Sequence, residues 1–582
     1  MSDSAVRWIK DNDFDPRYQF WTRANVSEVL PDPPTPLGWD LVWEGAAVAG
    51  WRDLFVKRCG MAEEEVSDFR CEAVGIFGGY AYLGASLFRV WAGRTPGMTP
   101  TTIDDVYFGD HPDVPPYVHE PWHVREATTE KMTQYMAWAT GLMNQDELEA
   151  DRELSLEIQA ARPDYNKMSD SDLFVYIVNM RPVIRRMFDQ HINQSLAASI
   201  GPGVLGQVTA AVGRPADAMR MMVGFGTVDS ALPSYAMWEL SRQVRSSIAL
   251  KGLFDAGPKG LDTRLRGSPE ADAKVFIRGL DGFLKEFGSR GKNEWDIAAP
   301  TWEVNPDPAL AAIDRMRLAD DSASPHSENA KREAERLRVS QEIRAALLGN
   351  DEALGGLDVG LRASAAFIPG RERSKTTIIR VVQEVRMAVL ELGRRAVARG
   401  DIAEVDDIFM LFVDELEQLT QGKLEGAQGF IPARRDYRRH LQSLEPPFIL
   451  TGHPKPNSTW PKRGAAPVTK LGVGESIRGG AGCPGQAVGR ARVVLDPSDP
   501  TALEPGDILI APMTDPSWTP LFVTAAAVVV DVGAALSHAI IVSRELGIPC
   551  VPSAIDATKR IPDGALIEVD GDAGTVTILS LA

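Results

Sequence analysis

The chain has 582 residues, and 62 Lys and Arg against 80 Asp and Glu give it a formal net charge of −18. That acidity provides no general basic field for a phosphate backbone, so nucleic acid is excluded as a broad partner. The length admits about three or four domains, and the four cysteines, Cys59, Cys71, Cys483 and Cys550, fall in no close pair or ligand-like spacing, which suits buried thiols in a reducing cytoplasm.

The N-terminus, "MSDSAVRWIKDNDFDPRYQF", has early acidic residues and no apolar core, so it reads as a mature cytoplasmic chain without signal peptide or lipid anchor. Residues 1–125 are rich in Trp, Pro and Gly. Nine of the 13 tryptophans precede residue 240, which suits either a pocket for a flat, apolar ligand or, more commonly, a set of core aromatics. "HEPWH", from His119 to His123, spells a zinc-protease motif. That motif needs both histidines on one continuous helix, and Pro121 lies between them, so no metal is expected.

Over 126–450 the 3.6-residue period dominates, as in "DLFVYIVNMRPVIRRMFDQHINQSLAASI" and "AKVFIRGLDGFLKEFG", and predicts a helical assembly. Within it, "GRERSKTTIIR" predicts a helix starting after Pro369 and Gly370 that puts Arg371 and Lys375 one turn apart, with Glu372 beside them. Such a face is either a solvated helix start or a clamp for a phosphoryl group, whose transfer is catalysed mainly by positioning and charge. Pro, Gly, Ser and Lys then accumulate over 451–480, where periodicity vanishes and a linker or hinge is expected. From 481 to 582, short β-branched runs alternate with turn signals around one helix at about 538–546, a compact β/α domain. The longest apolar stretch, "TPLFVTAAAVVVDVGAAL", is broken by Asp531 and is too short to span a bilayer, so no membrane partner is expected.

In "DVGAALSHAIIVSRELGIPC" an alanine and valine strand runs into Gly533, and a helical spacing then begins at His538. A helix N-terminus favours a bound anion and disfavours an imidazolium. Both effects suit a neutral histidine that attacks phosphorus and then carries phosphate, although a lone histidine there is more often structural. Gly533 supplies the turn, Ser537 a cap or phosphate donor, and Arg544 a nearby cation.

The last 100 residues or so, with Gly533, Ser537, His538, Arg544, Glu545, Gly547 and Pro549 in order, resemble the phosphohistidine swivelling domain of PEP-utilising enzymes and dikinases. The resemblance implies that His538 is phosphorylated. Two positions depart from the pattern. Ala534 stands where many relatives have a second glycine, and Leu536 stands where pyruvate dikinases have threonine, so the regulatory threonine phosphorylation of that subgroup is not carried over. "FWTRANVSEVLPDPPTPL" and the segment from Arg371 to about Leu419 resemble the acceptor-binding domain of rifampin phosphotransferases, in which the Arg-Glu-x-x-Lys of Arg371, Glu372 and Lys375 belongs to the transfer site.

The implied fold is α+β and multidomain, a mainly helical acceptor-binding domain followed by a C-terminal β/β/α swivelling domain. No glycine-rich nucleotide-binding domain or PEP-binding barrel is recognisable within the 582 residues. As in phenylphosphate synthase, ATP and Mg2+ are then expected on a separate ATP-grasp subunit, with a phenol or alcohol as the acceptor. The rival readings are a phosphohistidine carrier or regulatory binding module, and a PEP-dependent phosphotransferase.

Overall fold

A computed structural model describes residues 7–13, 15–66, 72–108, 111, 113–141, 145–226, 228–464, 468–497, 503–515, 518–533 and 537–582. The chain divides into two compact units, each assembled from non-consecutive segments. The first comprises Met1–Gln194, Trp295–Ala299 and Ser374–Pro467, and the second Ser195–Glu294, Pro300–Arg373 and Val468–Ala582. As expected for an α+β chain, long helices are accompanied by a C-terminal mixed sheet.

In the first unit β1 (Phe20–Thr22), β2 (Val74–Phe77), β3 (Tyr80–Leu83) and β4 (Ile449–Thr451) form an antiparallel sheet in the order β2-β3-β1-β4. Phe20 pairs with Thr451, so the first and last segments of the unit close one core around Trp21, Phe77, Tyr80, Leu441 and Trp460. The β2–β3 turn is Gly78-Gly79, both in the left-handed region. A Cβ at Gly78 would lie 2.3 Å from the Trp460 ring, so glycine is needed there for both backbone and space. Trp39 and Trp43 stack on each other, and Trp43 packs against Phe188 and Trp295. All four are buried, and the early tryptophans at these positions are therefore core.

In the second unit α1 (Leu232–Ser246), α2 (Ala271–Phe287) and α3 (Asp307–Met316) share a core that includes Leu240, Phe276, Phe283 and Ile313. α4 (Pro325–Ala346) packs Val339 and Ile343 on Leu205, Met221 and Ile368. α5 (Asp351–Arg399) starts well before the expected position: Pro369 lies inside it. A proline in a helix interior removes a hydrogen bond and costs about 3 kcal/mol. Burial of Ala363, Phe367 and Ile368 just before it, and of Ile378 and Ile379 after it, outweighs that loss.

The C-terminal part of this unit holds a seven-stranded sheet ordered β5-β11-β10-β6-β7-β8-β9, from β5 (Ser476–Arg478), β6 (Gln486–Val493), β7 (Ile508–Ala511), β8 (Ala527–Val530), β9 (Cys550–Val551), β10 (Leu566–Asp570) and β11 (Thr575–Ser580). β6 to β9 are parallel and the others antiparallel. β7, β8 and β9 are buried on both faces, which explains their continuous apolar runs, whereas β5, β6, β10 and β11 have one face in the core and the other partly exposed. Ile510 and Val529 point to a core with Ala557 and Ile561, while Leu509, Val528 and Val530 meet Ile540, Val542 and Leu546 of α6 (His538–Leu546).

The expected linker is anchored at both ends. Trp460 belongs to the first unit's core, while Leu471 is in the core of the sheet and donates its N–H to the Arg560 carbonyl. Among the described residues no helix is long and apolar enough to cross a membrane.

Candidate active site

β7 and β8 are parallel neighbours, with Ile510 opposite Val529 and Ala511 opposite Val530. Their C-terminal ends therefore lie side by side, the position from which loops of a parallel sheet usually present functional groups. The chain after β7 carries Thr514 in a loop and Thr519 as the first residue of a short helix (Thr519–Phe522), and the chain after β8 leads through Gly533 to Ser537 and His538.

His538 opens α6 and is only 6% exposed. Its Nδ1 lies 3.1 Å from Thr514 Oγ1 and its Nε2 3.1 Å from Thr519 Oγ1. The Phe522 ring stands edge-on to the imidazole at 5.9 Å. Because a hydroxyl both donates and accepts, one threonine can accept from the protonated nitrogen while the other donates to the lone pair. Both ring nitrogens are thereby engaged and the ring is oriented, and the donating hydroxyl has to rotate away before that lone pair is free. Neither threonine was picked out from sequence. The available signal was their position after a parallel strand, in "PMTDPSWTP".

Ser537 occupies the N-cap position of α6 with extended backbone, but its hydroxyl does not cap the helix. That Oγ is buried with no hydrogen-bond partner among the described residues. A Cβ at Gly533 would sit 3.1 Å from Ser537 Oγ and from Pro552. Gly533, Ser537 and His538 thus form one crease at the positive end of the helix, able to receive oxyanion oxygens. Ala534 and Leu536 lie outside the described residues.

Arg544 does not join this crease. It is six residues further along α6, about 9 Å along the axis and on another face. It donates from Nε to the Gly482 carbonyl at 3.3 Å and from Nη2 towards Met219 Sδ at 3.4 Å. Burial lowers its pKa to about 10, with the neighbouring Cys483 and Cys550 acting in the opposite direction. Arg544, expected as a phosphate-facing cation, ties α6 to the segment entering the sheet through its bond to Gly482.

Glu545 shows a role the sequence did not reveal. Its buried carboxylate accepts the N–H groups of Phe225 at 3.4 Å and Gly226 at 3.1 Å, and burial, the dominant effect, raises its pKa. Arg332 of α4 donates to the Gly547 carbonyl, and Arg220 pairs with Asp572 at 3.0 Å. Gly547 closes α6 in the left-handed conformation, as "GIP" suggested. Together these contacts clasp the sheet domain onto 220–226 and α4.

On α5, Arg371 and Glu372 are joined by an ion pair between their own side chains, and Glu372 is buried. Both belong to the second unit, whereas Lys375, half-buried, falls in the first. The His119 and His123 rings are 5.7 Å apart, but Pro121–His123 is a single 3-10 turn and His123 Nδ1 engages the Tyr117 hydroxyl at 2.7 Å. Cys59, Cys483 and Cys550 are free and buried, and Cys71 lies outside the described residues.

Comparison with known proteins adds two family matches. Residues 190–372 match the rifampicin phosphotransferase fourth domain and residues 503–574 the mobile domain of PEP-utilising enzymes. The first match includes Arg371 and Glu372, the second His538. Among similar proteins, the prodigiosin synthesizing transferase PigC of Serratia marcescens is 34% identical over 350 residues, 58% of this chain and 38% of that protein. A rifampicin phosphotransferase of Streptomyces sviceus is 32% identical over 311 residues, covering 52% and 34% respectively. An uncharacterized protein of Mycobacterium tuberculosis is 26% identical over 595 aligned positions, covering 98% of this chain and 63% of its own length. The chain spans less than two thirds of each of these relatives.

Proposed function

This chain is a relative of the PEP-utilising phosphotransferases, and on that premise we propose that its C-terminal domain is a phosphohistidine carrier that delivers a phosphoryl group to an organic hydroxyl. His538 takes the group from ATP, bound with Mg2+ on an ATP-grasp partner subunit. It then passes it to a small phenolic or alcoholic acceptor held by the helical part. The observation that carries this reading is the oriented, buried imidazole between Thr514 and Thr519 at the N-terminus of α6.

In the first step the lone pair of one ring nitrogen forms the nitrogen–phosphorus bond as the bond from phosphorus to the nucleotide oxygen breaks. The Ser537 hydroxyl, which has no hydrogen-bond partner among the described residues, and the α6 amides donate to the phosphoryl oxygens. In the second step the acceptor oxygen bonds to phosphorus as the nitrogen–phosphorus bond breaks, and the hydroxyl proton is taken up as the imidazole is released. Arg371 and Lys375 serve as the cations that offset charge on the transferring group, and Glu372 orients the hydroxyl and conducts its proton.

The test is a two-stage chase. The full chain, labelled from radioactive ATP through its ATP-grasp partner and freed of nucleotide, is mixed with a panel of phenols and alcohols. Label appearing on a small organic product supports the reading. Label moving only to a second protein favours the regulatory carrier, and rapid labelling by PEP alone favours the PEP-dependent alternative.

A further inference from the structure

We infer that Arg290 is a phosphoryl-binding residue, carried on a loop that is tied to the one holding Thr514 beside His538. α2 ends at Phe287, and the chain continues into a buried loop in which the Arg290 N–H donates to the Phe287 carbonyl and the Arg290 carbonyl accepts from Trp302 N–H at 2.8 Å. The backbone is therefore fixed on both sides.

The side chain is 1% exposed, yet Nε, Nη1 and Nη2 all lack a hydrogen-bond acceptor among the described residues. Its ion-pair partner Glu294 comes within 3.4 Å of Nη1, without forming a directed hydrogen bond. A guanidinium has five N–H donors in a rigid fork, and burying it with one ion pair and no directed hydrogen bond leaves those donors unsatisfied, which is unfavourable. Oxyanions with two or three exposed oxygens match that fork.

The placement of the same loop selects the class of anion. Three residues after Arg290, Asn293 adopts a left-handed backbone uncommon for a non-glycine residue and donates its N–H to Asp515 Oδ2 at 3.2 Å. Asp515 directly follows Thr514, whose hydroxyl lies 3.1 Å from the imidazole. Lys292 pairs with Asp496 of the same sheet domain at 3.3 Å. The Arg290 loop is thus tied to the loop that orients the phosphate-carrying histidine. That the bound group arrives on His538 rests on the phosphotransfer reading; that Arg290 binds phosphoryl oxygens does not.

Inorganic phosphate is titrated into the full chain by calorimetry. The wild type is expected to bind phosphate, and Arg290→Gln at least tenfold more weakly, with Arg290→Lys in between. Since removing Arg290 alone takes a buried ion-pair partner from Glu294 and can unfold the single variants, Arg290→Met with Glu294→Met removes both charges. A purely structural pair leaves phosphate affinity unchanged in that double variant, and this result overturns the proposal, whereas loss of binding supports it. In a second arm His538 is phosphorylated chemically with phosphoramidate. A phosphorus NMR resonance displaced in the double variant identifies the phosphohistidine as the source. An undisplaced resonance, with phosphate affinity lost, assigns Arg290 to free or product phosphate instead. Failure of phosphoramidate to label His538 counts against the carrier reading and leaves the titration to decide on Arg290.

Discussion

Thr514 Oγ1 lies 3.1 Å from His538 Nδ1, and the two residues reach each other from the ends of adjacent parallel strands. With Thr519 on the opposite nitrogen, the ring is held in one orientation before any phosphoryl group arrives. Replacing either threonine by valine keeps the shape and removes one hydrogen bond, a loss of about 0.5–1.5 kcal/mol. Each variant is expected to slow phosphorylation of His538 about three- to tenfold in single-turnover labelling, with little change in thermal unfolding.

Loading and transfer separate at α5. Lys375→Gln, and the double variant Arg371→Gln with Glu372→Gln, are expected to label at His538 like the wild type and to transfer to the acceptor about a hundredfold more slowly. The double change avoids leaving Glu372 buried without its arginine. Quenched-flow measurement of both steps checks this, and equal slowing of labelling would move these residues out of the second step.

The clasp at Glu545 has a local signature. Glu545→Leu leaves two backbone N–H groups without their acceptor, at about 1–3 kcal/mol each if they stay buried. Hydrogen exchange at the Phe225 and Gly226 amides is expected to speed up at least tenfold in this variant. Glu545→Gln keeps an acceptor oxygen and should protect them nearly as well as the wild type.

Asp531, at the end of β8, gives the fold a pH dependence. Burial, opposed by hydrogen bonds from Thr558, pushes its carboxyl up from 3.8 to about 6. A folded-state value above the unfolded one means that the folded protein holds the extra proton. The stabilisation is therefore full below about pH 4 and is lost as pH rises through about 6, a change of about 3 kcal/mol. Asp531→Asn should flatten this window in denaturant titrations of the sheet domain, and an unchanged slope would contradict the assignment.

The helix at His538 was legible because a buried strand, a glycine and a helical spacing follow one another within twenty residues, and Gly547 marks its end. Thr514 and Thr519 were not legible, since only the β7–β8 pairing brings them to the histidine. Glu545 looked like one more motif position, because its partners at Phe225 and Gly226 are backbone groups about 320 residues away. Pro369 and Gly370 gave a misleading signal for a helix start: the apolar residues on both sides are buried, and their packing carries the helix through. Arg544 was close in sequence to His538 but lies on another face of the same helix, which residue spacing does predict once its start is known.

The central claim is that His538 carries the phosphoryl group. The chain labelled from ATP through its ATP-grasp partner, digested under alkaline conditions that preserve phosphohistidine, is predicted to yield label on the peptide containing Ser537 and His538 and none in His538→Ala. Equal labelling of the His538→Ala chain, or label on a different residue, would contradict the account.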